Sequence, residues 1–331
     1  MSQFNCYVVS KGEDKQVTAG MNRRELADLP DGEVLIRVAY SSLNYKDGLA
    51  ATGRPGVARK FPHIPGIDAA GEVAESRVPQ VQVGQKVLVT GYDLGAGRWG
   101  GWSEYARVPA EWVIPLPDGL TLIDSMRLGT AGFTAALSID AIQRHEITPK
   151  SGEIVVTGST GGVGCLAVLI LAKLGYSVVA VTGKPSQHEW LKKLGAKRVI
   201  TRQDVDVQGG NPLLKAVWAG AIDTVGGNTL ATILRSTEIG GCVTACGLVG
   251  GTELHTTVFP FILRGVALAG IDTGWTRRER RLELWRHLAT DWKPDGLAEL
   301  SKTVELKDVD APVQKILAGE IVGRTVVHVA G

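Results

Sequence analysis

The sequence predicts an α/β chain in two parts: a doubly wound parallel sheet with helices on its faces, and an antiparallel β-barrel or meander. Three observations predict it. From about residue 128 onward, short apolar strands alternate with apolar or amphipathic helices, as a parallel sheet with helical crossovers requires. From 33 to about 108, β-rich runs alternate with glycine and proline and no helical period intervenes. The 331 residues also exceed one ordinary core at about 150 residues per domain. The 42 glycines, about 13% against a usual value near 7%, signal many turns and close backbone approaches.

The elements follow in order. The first part carries the runs EVLIRVAY, GIDAAGEVAES, QKVLVTGY and GGWSEYARV. In the second, EIVVTG (153–158), SVVAVTG (177–183), KRVIT (197–201), AIDTV (221–225), CVTACG (242–247) and VALAGID (266–272) read as strands. Between the first two lies an apolar helix, 162–174, ended by Gly175. Between the next two, 186–194 reads as a helix, with Ser186 and Glu189 at capping-box spacing and Gly195 placed to stop it. After Thr273 comes a charged helix, TRRERRLELWRHLA, and then a strand-like run, GRTVVHVAG, positioned to return to the first domain.

Charge and cysteine usage narrow the class. Lys+Arg 36 against Asp+Glu 34 leave a net charge of +2, with no basic, aromatic-laced stripe, so neither a nucleic acid nor an anionic membrane is expected as a partner. The opening MSQFNCYVVS lacks a secretory pattern, and the most apolar stretch, 163–172, is about half what a bilayer requires. Cys6, Cys165, Cys242 and Cys246 form no C-x-x-C pair and read as small packed residues, with Cys242 and Cys246 on one face of a strand. No metal site is visible. The expectation is a soluble, cytoplasmic protein.

The segment Gly158-Ser-Thr160-Gly161-Gly162-Val163-Gly164 follows a strand and opens a helix. Glycines let the backbone approach a pyrophosphate, and a helix N-terminus offers N–H donors and partial positive charge. Nucleotide binding follows. The next strand ends in Thr182-Gly183-Lys184, without the acid that would bond a ribose 2′-hydroxyl. A hydroxyl and a lysine suit a 2′-phosphate instead, and Arg202, beyond the third strand, stands where it could close the clamp. NADPH is the expected cofactor.

With GSTGGVG, GTAGFTA (129–135), PGID (65–68) and GRTVV (323–327), the chain resembles the medium-chain dehydrogenase/reductases. Its SSLNYKD (41–47), WAGAIDTVGG (218–227) and ACGLVGG (245–251) closely resemble the zinc-independent acryloyl-CoA reductase branch, often labelled quinone oxidoreductase. The resemblance implies a Rossmann sheet over 127–273 and a GroES-like β-barrel catalytic domain over 1–126 and 274–331. Zinc-dependent relatives carry Cys where this chain has Asn44, and Gly-His-Glu where it has Gly66-Ile67-Asp68, so no metal is implied.

The resemblance implies NADPH-dependent reduction of acryloyl-CoA to propanoyl-CoA in a cleft between the domains. It sets the loop of Tyr45 over the nicotinamide. The candidate catalytic residues are therefore Tyr45, Asn44 and Asp47. Tyr45 could contact the cofactor, donate to the oxyanion, relay a proton or pack beneath the ring. For Asn44 and Asp47, bracing the loop is as good a reading as a direct role. Leu248, Ile262 and Thr273, at later strand ends, with Thr130 and Arg324, complete the expected cofactor set. Two clusters offer a landing for coenzyme A phosphates: Arg54, Arg59 and Lys60, which are favoured, and Arg277, Arg278, Arg280 and Arg281, which read more readily as a solvated face or an interface. Relatives pair the VALAGID strand across a two-fold axis, which implies a homodimer. Two alternatives stay open: a quinone or enone reductase, with Trp99 and Trp102 as stacking rings, and a non-catalytic nucleotide-binding protein.

Overall fold

The computed structural model describes residues 3–330. It falls into two compact units. One comprises the chain up to Thr130 with Thr273–Thr290 and the segment from Asp295; the other is Ala131–Asp272 with Asp291–Pro294.

The second unit is a six-stranded parallel sheet in the order Arg198–Ile200, Ser177–Val181, Glu153–Val156, Trp218–Asp223, Thr237–Ala245, Ala267–Gly270. Numbered along the chain this is 3-2-1-4-5-6, the Rossmann arrangement, with the order reversing beside Glu153–Val156. Val155, Val156, Val178, Val179, Ala221, Ile222 and Val243 are buried, as continuous apolar runs must be when both sheet faces are covered. The helix Gly162–Lys173 buries Leu166, Val168, Ile170 and Leu171, each stabilising by about 1.5–3 kcal/mol. It stops where Gly175 takes φ +83°.

Three local expectations are corrected. Ser186 and Glu189 form no capping box: the turn begins earlier, as a 3-10 segment Pro185–Gln187 running into His188–Lys193. Proline, with its fixed φ, starts that turn, and Glu189 instead bonds Lys192 at 2.8 Å. Cys246 lies beyond the end of Thr237–Ala245, so it shares no strand face with Cys242. Burial pushes the Cys6, Cys242 and Cys246 thiols up to about 12, 11 and 12. The late helix, Arg278–Ala289, is no solvated arginine face. Arg281 is fully buried, and Arg278 donates to the carbonyls of Glu111 and Val113.

In the first unit one sheet runs Ser301–Glu305, Arg324–His328, Val34–Leu43, Asp68–Ser76, Lys86–Thr90, Ile114–Pro115, and Tyr105–Val108 also pairs with Val34–Leu43. All pairs are antiparallel except the first. Alternation along Val34–Leu43 serves two cores: Val34, Ile36 and Val38 pack with Val73, Val87 and Val89, while Leu35 and Leu43 pack with Phe4, Tyr7 and Trp102. Trp102 is a core residue, edge-on to Tyr7 and donating Nε1–H to the Ser42 carbonyl at 3.2 Å, so it stacks no ligand.

Candidate active site

In the second unit the glycine loop is held by contacts only glycine permits. Gly158 takes φ +57°, and a Cβ there would lie 2.3 Å from Thr224 Oγ1. A Cβ at Gly164 would lie 2.4 Å from the Gly158 carbonyl oxygen. Ser159 Oγ donates to the Val156 carbonyl and accepts from Val181 N–H at 3.0 Å, tying the loop to two strand ends. The helix therefore opens at Gly161, Gly162, Val163 and Gly164 with first-turn N–H groups that no helical carbonyl can satisfy. Thr160 is buried beside them.

One strand over, the Thr182 hydroxyl accepts the Lys184 N–H at 3.1 Å and shapes the turn. A Cβ on Gly183 would lie 2.6 Å from Arg202 Nε and 2.8 Å from Cζ, so the guanidinium lies across the exposed backbone of this glycine. The structure thus brings Thr182, Gly183, Lys184 and Arg202 together. Leu248 is exposed beyond the end of Thr237–Ala245; Ile262, expected at a strand end, instead lies exposed within the helix Phe259–Arg264, where its N–H donates to the Val258 carbonyl at 3.0 Å. Asp223, which sequence reasoning missed, accepts Thr157 Oγ1–H and Gly226 N–H at the same strand ends. Its burial raises its carboxyl pKa.

In the first unit Tyr45 begins the helix Tyr45–Ala51 and is 43% exposed, while its neighbours are locked. Asp47 is fully buried. One of its oxygens accepts Asn44 N–H at 2.8 Å and Asn44 Nδ2–H at 3.1 Å; the other accepts Gly66 N–H at 3.1 Å and Ile67 N–H at 2.8 Å. Asn44 Nδ2 also donates to Asp68 Oδ2 at 2.9 Å, and Asn44 Oδ1 accepts from Arg324 at 3.2 Å. Arg324, buried, further donates to the Arg127 carbonyl at 2.9 Å.

Asp68 is the hub that sequence reasoning passed over. It accepts the Ser42 hydroxyl, Asn44 Nδ2–H, and both the N–H and hydroxyl of Thr130. Leu122–Arg144 is two helices meeting at Gly129, whose φ of +53° breaks the regular path. Asp68 then caps the second one at Thr130. A Cβ at Gly129 would strike Asp68 Oδ2 at 2.6 Å and Arg324 Nη2 at 2.9 Å. The PGID segment contained the signal, a lone acid amid apolar and glycine residues, but nothing in it names the partners.

Burial, then the charge of Asp68, push the Asp47 carboxyl up to about 7, against its N–H donors. The folded value lies above the reference 3.8, so Asp47 favours the native state most below about pH 4, and that advantage fades as pH climbs to 7. Asp47→Asn, which does not titrate, is expected to cost less stability at pH 8 than at pH 5. Urea midpoints at both values check it, and a penalty that stays constant or widens with pH contradicts it.

Arg54, Arg59 and Lys60 are exposed, Arg59 lying 3.8 Å from Asp93. The Thr273 carbonyl accepts from Arg281 at 2.6 Å. At the positions compared with zinc-dependent relatives, Asn44 Oδ1 accepts from the Arg324 guanidinium and the Ile67 side chain carries no ligand atom.

Residues 30–118 match the family model described as the alcohol dehydrogenase GroES-like domain, and 162–290 the one described as zinc-binding dehydrogenase. The chain is 44% identical over 327 residues to the acrylyl-CoA reductase AcuI of Ruegeria pomeroyi, covering 98% of this chain and 99% of that protein. It is 46% identical over 301 residues to YhfP of Bacillus subtilis, named as a quinone oxidoreductase, covering 91% of each. A crystal structure of Bacillus subtilis yhfP with NAD bound matches with a TM-score of 0.96 at 44% identity, over 99% of this chain and 100% of that one. The yhdH oxidoreductase of Salmonella enterica in complex with NADP matches with a TM-score of 0.95 at 45% identity, over 98% and 100%.

Proposed function

The chain belongs to the medium-chain dehydrogenase/reductase superfamily, and from that premise we propose that it reduces the C=C bond of acryloyl-CoA to propanoyl-CoA. The observation that carries this reading is the 44% identity, over 98% of the chain, to an acrylyl-CoA reductase. NADPH, when bound, supplies the hydride that the β-carbon receives. Backbone N–H groups at Thr160, Gly162, Val163 and Gly164 seat its pyrophosphate on the turn that Gly161 closes, and Thr182, Gly183, Lys184 and Arg202 hold the 2′-phosphate. Main-chain groups at Leu248 fix its other end.

On the catalytic unit, the Tyr45 hydroxyl hydrogen-bonds the thioester oxygen, where enolate charge builds, and the enolate then takes a proton from solvent at its α-carbon to give propanoyl-CoA. Asn44, Asp47, Asp68, Thr130 and Arg324 position it by fixing both sides of the loop. The chemistry runs without a metal, because a dication at Asn44 would meet the Arg324 guanidinium. Incubating the enzyme with NADPH and acryloyl-CoA is expected to yield propanoyl-CoA by mass spectrometry. Recovery of unchanged acryloyl-CoA refutes the proposal. The 46% identity to YhfP supports one other substrate, a quinone, at the same site.

The working form is proposed to be a cytoplasmic homodimer that engages neither membrane nor nucleic acid. No helix among the described residues is long and apolar enough to cross a membrane. Ala267–Gly270 is the sheet's edge strand, with Leu268, Val258, Phe259 and Leu263 exposed around it, a liability unless covered. Sedimentation is expected to give a dimer for the parent and a monomer for Leu263→Glu at micromolar concentration. A monomeric parent overturns the dimer.

A further inference from the structure

An aromatic stack on the catalytic unit ends in a tryptophan with no part in the reaction as described. Tyr92 takes φ +52°, uncommon for a bulky residue, and its N–H donates to the Gly274 carbonyl at 3.2 Å. Its ring lies parallel to Trp112 with centroids 5.0 Å apart, and the Arg281 guanidinium covers it at 4.3 Å. Arg281 is fully buried and donates to the Thr90 and Thr273 carbonyls. A buried cation and a left-handed tyrosine each cost stability. What they jointly fix is the backbone at 273–274, from which Trp275 projects. That indole stands edge-on to Tyr92 at 6.2 Å and remains 67% exposed. One residue beyond Tyr92, Asp93 holds the exposed cation Arg59 at 3.8 Å.

We propose that Trp275 stacks the adenine of coenzyme A while Arg59 takes the adjoining phosphates. The assignment rests on the acyl-CoA reading. An exposed aromatic resting on Tyr92 and an exposed cation paired with the next residue, Asp93, offer what a nucleotide with several phosphates recognises. Stacking needs only a π-face, and a platform held in advance loses little entropy on binding. The substrate's distant nucleotide is then gripped far from the reacting carbon, and its removal weakens binding without altering the chemical step.

The test uses NADP-saturated enzyme titrated calorimetrically with adenosine 3′,5′-bisphosphate, beside turnover of acryloyl-CoA and of acryloyl-N-acetylcysteamine, which lacks the nucleotide. Trp275→Ala is expected to weaken bisphosphate binding about tenfold or more. It should raise KM for acryloyl-CoA similarly, leave kcat unchanged and leave the short thioester unaffected. Trp275→Phe restores most of the binding, and Arg59→Gln reproduces the KM effect. Equal loss on both thioesters, or bisphosphate binding indifferent to Trp275, overturns the assignment. Enzyme that binds the bisphosphate through Trp275 yet reduces neither thioester supports the nucleotide subsite and refutes the reductase reading.

Discussion

Enzyme carrying Lys184→Ala with Arg202→Ala is expected to bind NADPH about 100-fold more weakly, while its NADH affinity stays within about threefold of the parent's. The prediction rests on where the charges lie. The strand Ser177–Val181 ends without an acid, the Thr182 hydroxyl fixes the Lys184 amide, and Gly183 lets the Arg202 guanidinium lie across the turn. Each charge-assisted bond to a phosphate contributes about 1.5–3 kcal/mol before screening. Both side chains reach solvent, so losing the pair is placed near the lower sum, about 3 kcal/mol. Gly183→Ala supplies a milder companion: its Cβ would come within 2.6 Å of Arg202 Nε and push the guanidinium off the turn. It should lose about tenfold on NADPH alone. Fluorescence titration of both nucleotides decides the matter, and equal weakening of the two contradicts the phosphate assignment.

Asp47→Ala is expected to destabilise the protein by about 3–5 kcal/mol and to abolish most turnover. The carboxylate accepts four N–H bonds in a site without solvent access, two from Asn44 and one each from Gly66 and Ile67. Alanine leaves the Gly66 and Ile67 N–H groups buried and unpaired and strips the half-buried Asn44 N–H of its acceptor, while Asn44 Nδ2 keeps Asp68. It also frees the residue before Tyr45 from the segment before Asp68, so the phenol loses its fixed approach. Urea unfolding at pH 7 gives the stability change, and a loss under about 1 kcal/mol would refute the brace. Asp47→Asn keeps an acceptor for Gly66 and Ile67 but turns an NH₂ toward the Asn44 donors, so it should fall between parent and alanine.

Much of this was legible in sequence because single residues carried it. Gly158, Gly161 and Gly164 announced a close approach at a strand-to-helix junction, and apolar runs such as Val178 to Val181 announced a sheet covered on both faces. The missing acid at Thr182 to Lys184 was the local pattern from which a 2′-phosphate was expected. Less legible was everything set by long-range pairing. Asp68 bonds Ser42 and Thr130, 26 and 62 residues away, and no local pattern specifies such a hub. Arg281 looked like one arginine of a solvated row, yet it is buried because Thr90, Thr273 and the Tyr92 ring surround it. Ser186 had the right spacing for a cap, but Pro185 began the turn before it. Trp102 read equally well as platform or core until Tyr7 was seen against it.

The most direct test of the central claim is kcat/KM for acryloyl-CoA, crotonyl-CoA and 1,4-benzoquinone side by side, followed by loss of NADPH absorbance. The account predicts the largest value for acryloyl-CoA, with NADH a poor substitute throughout. Turnover confined to the quinone, or none with any of the three, would contradict it.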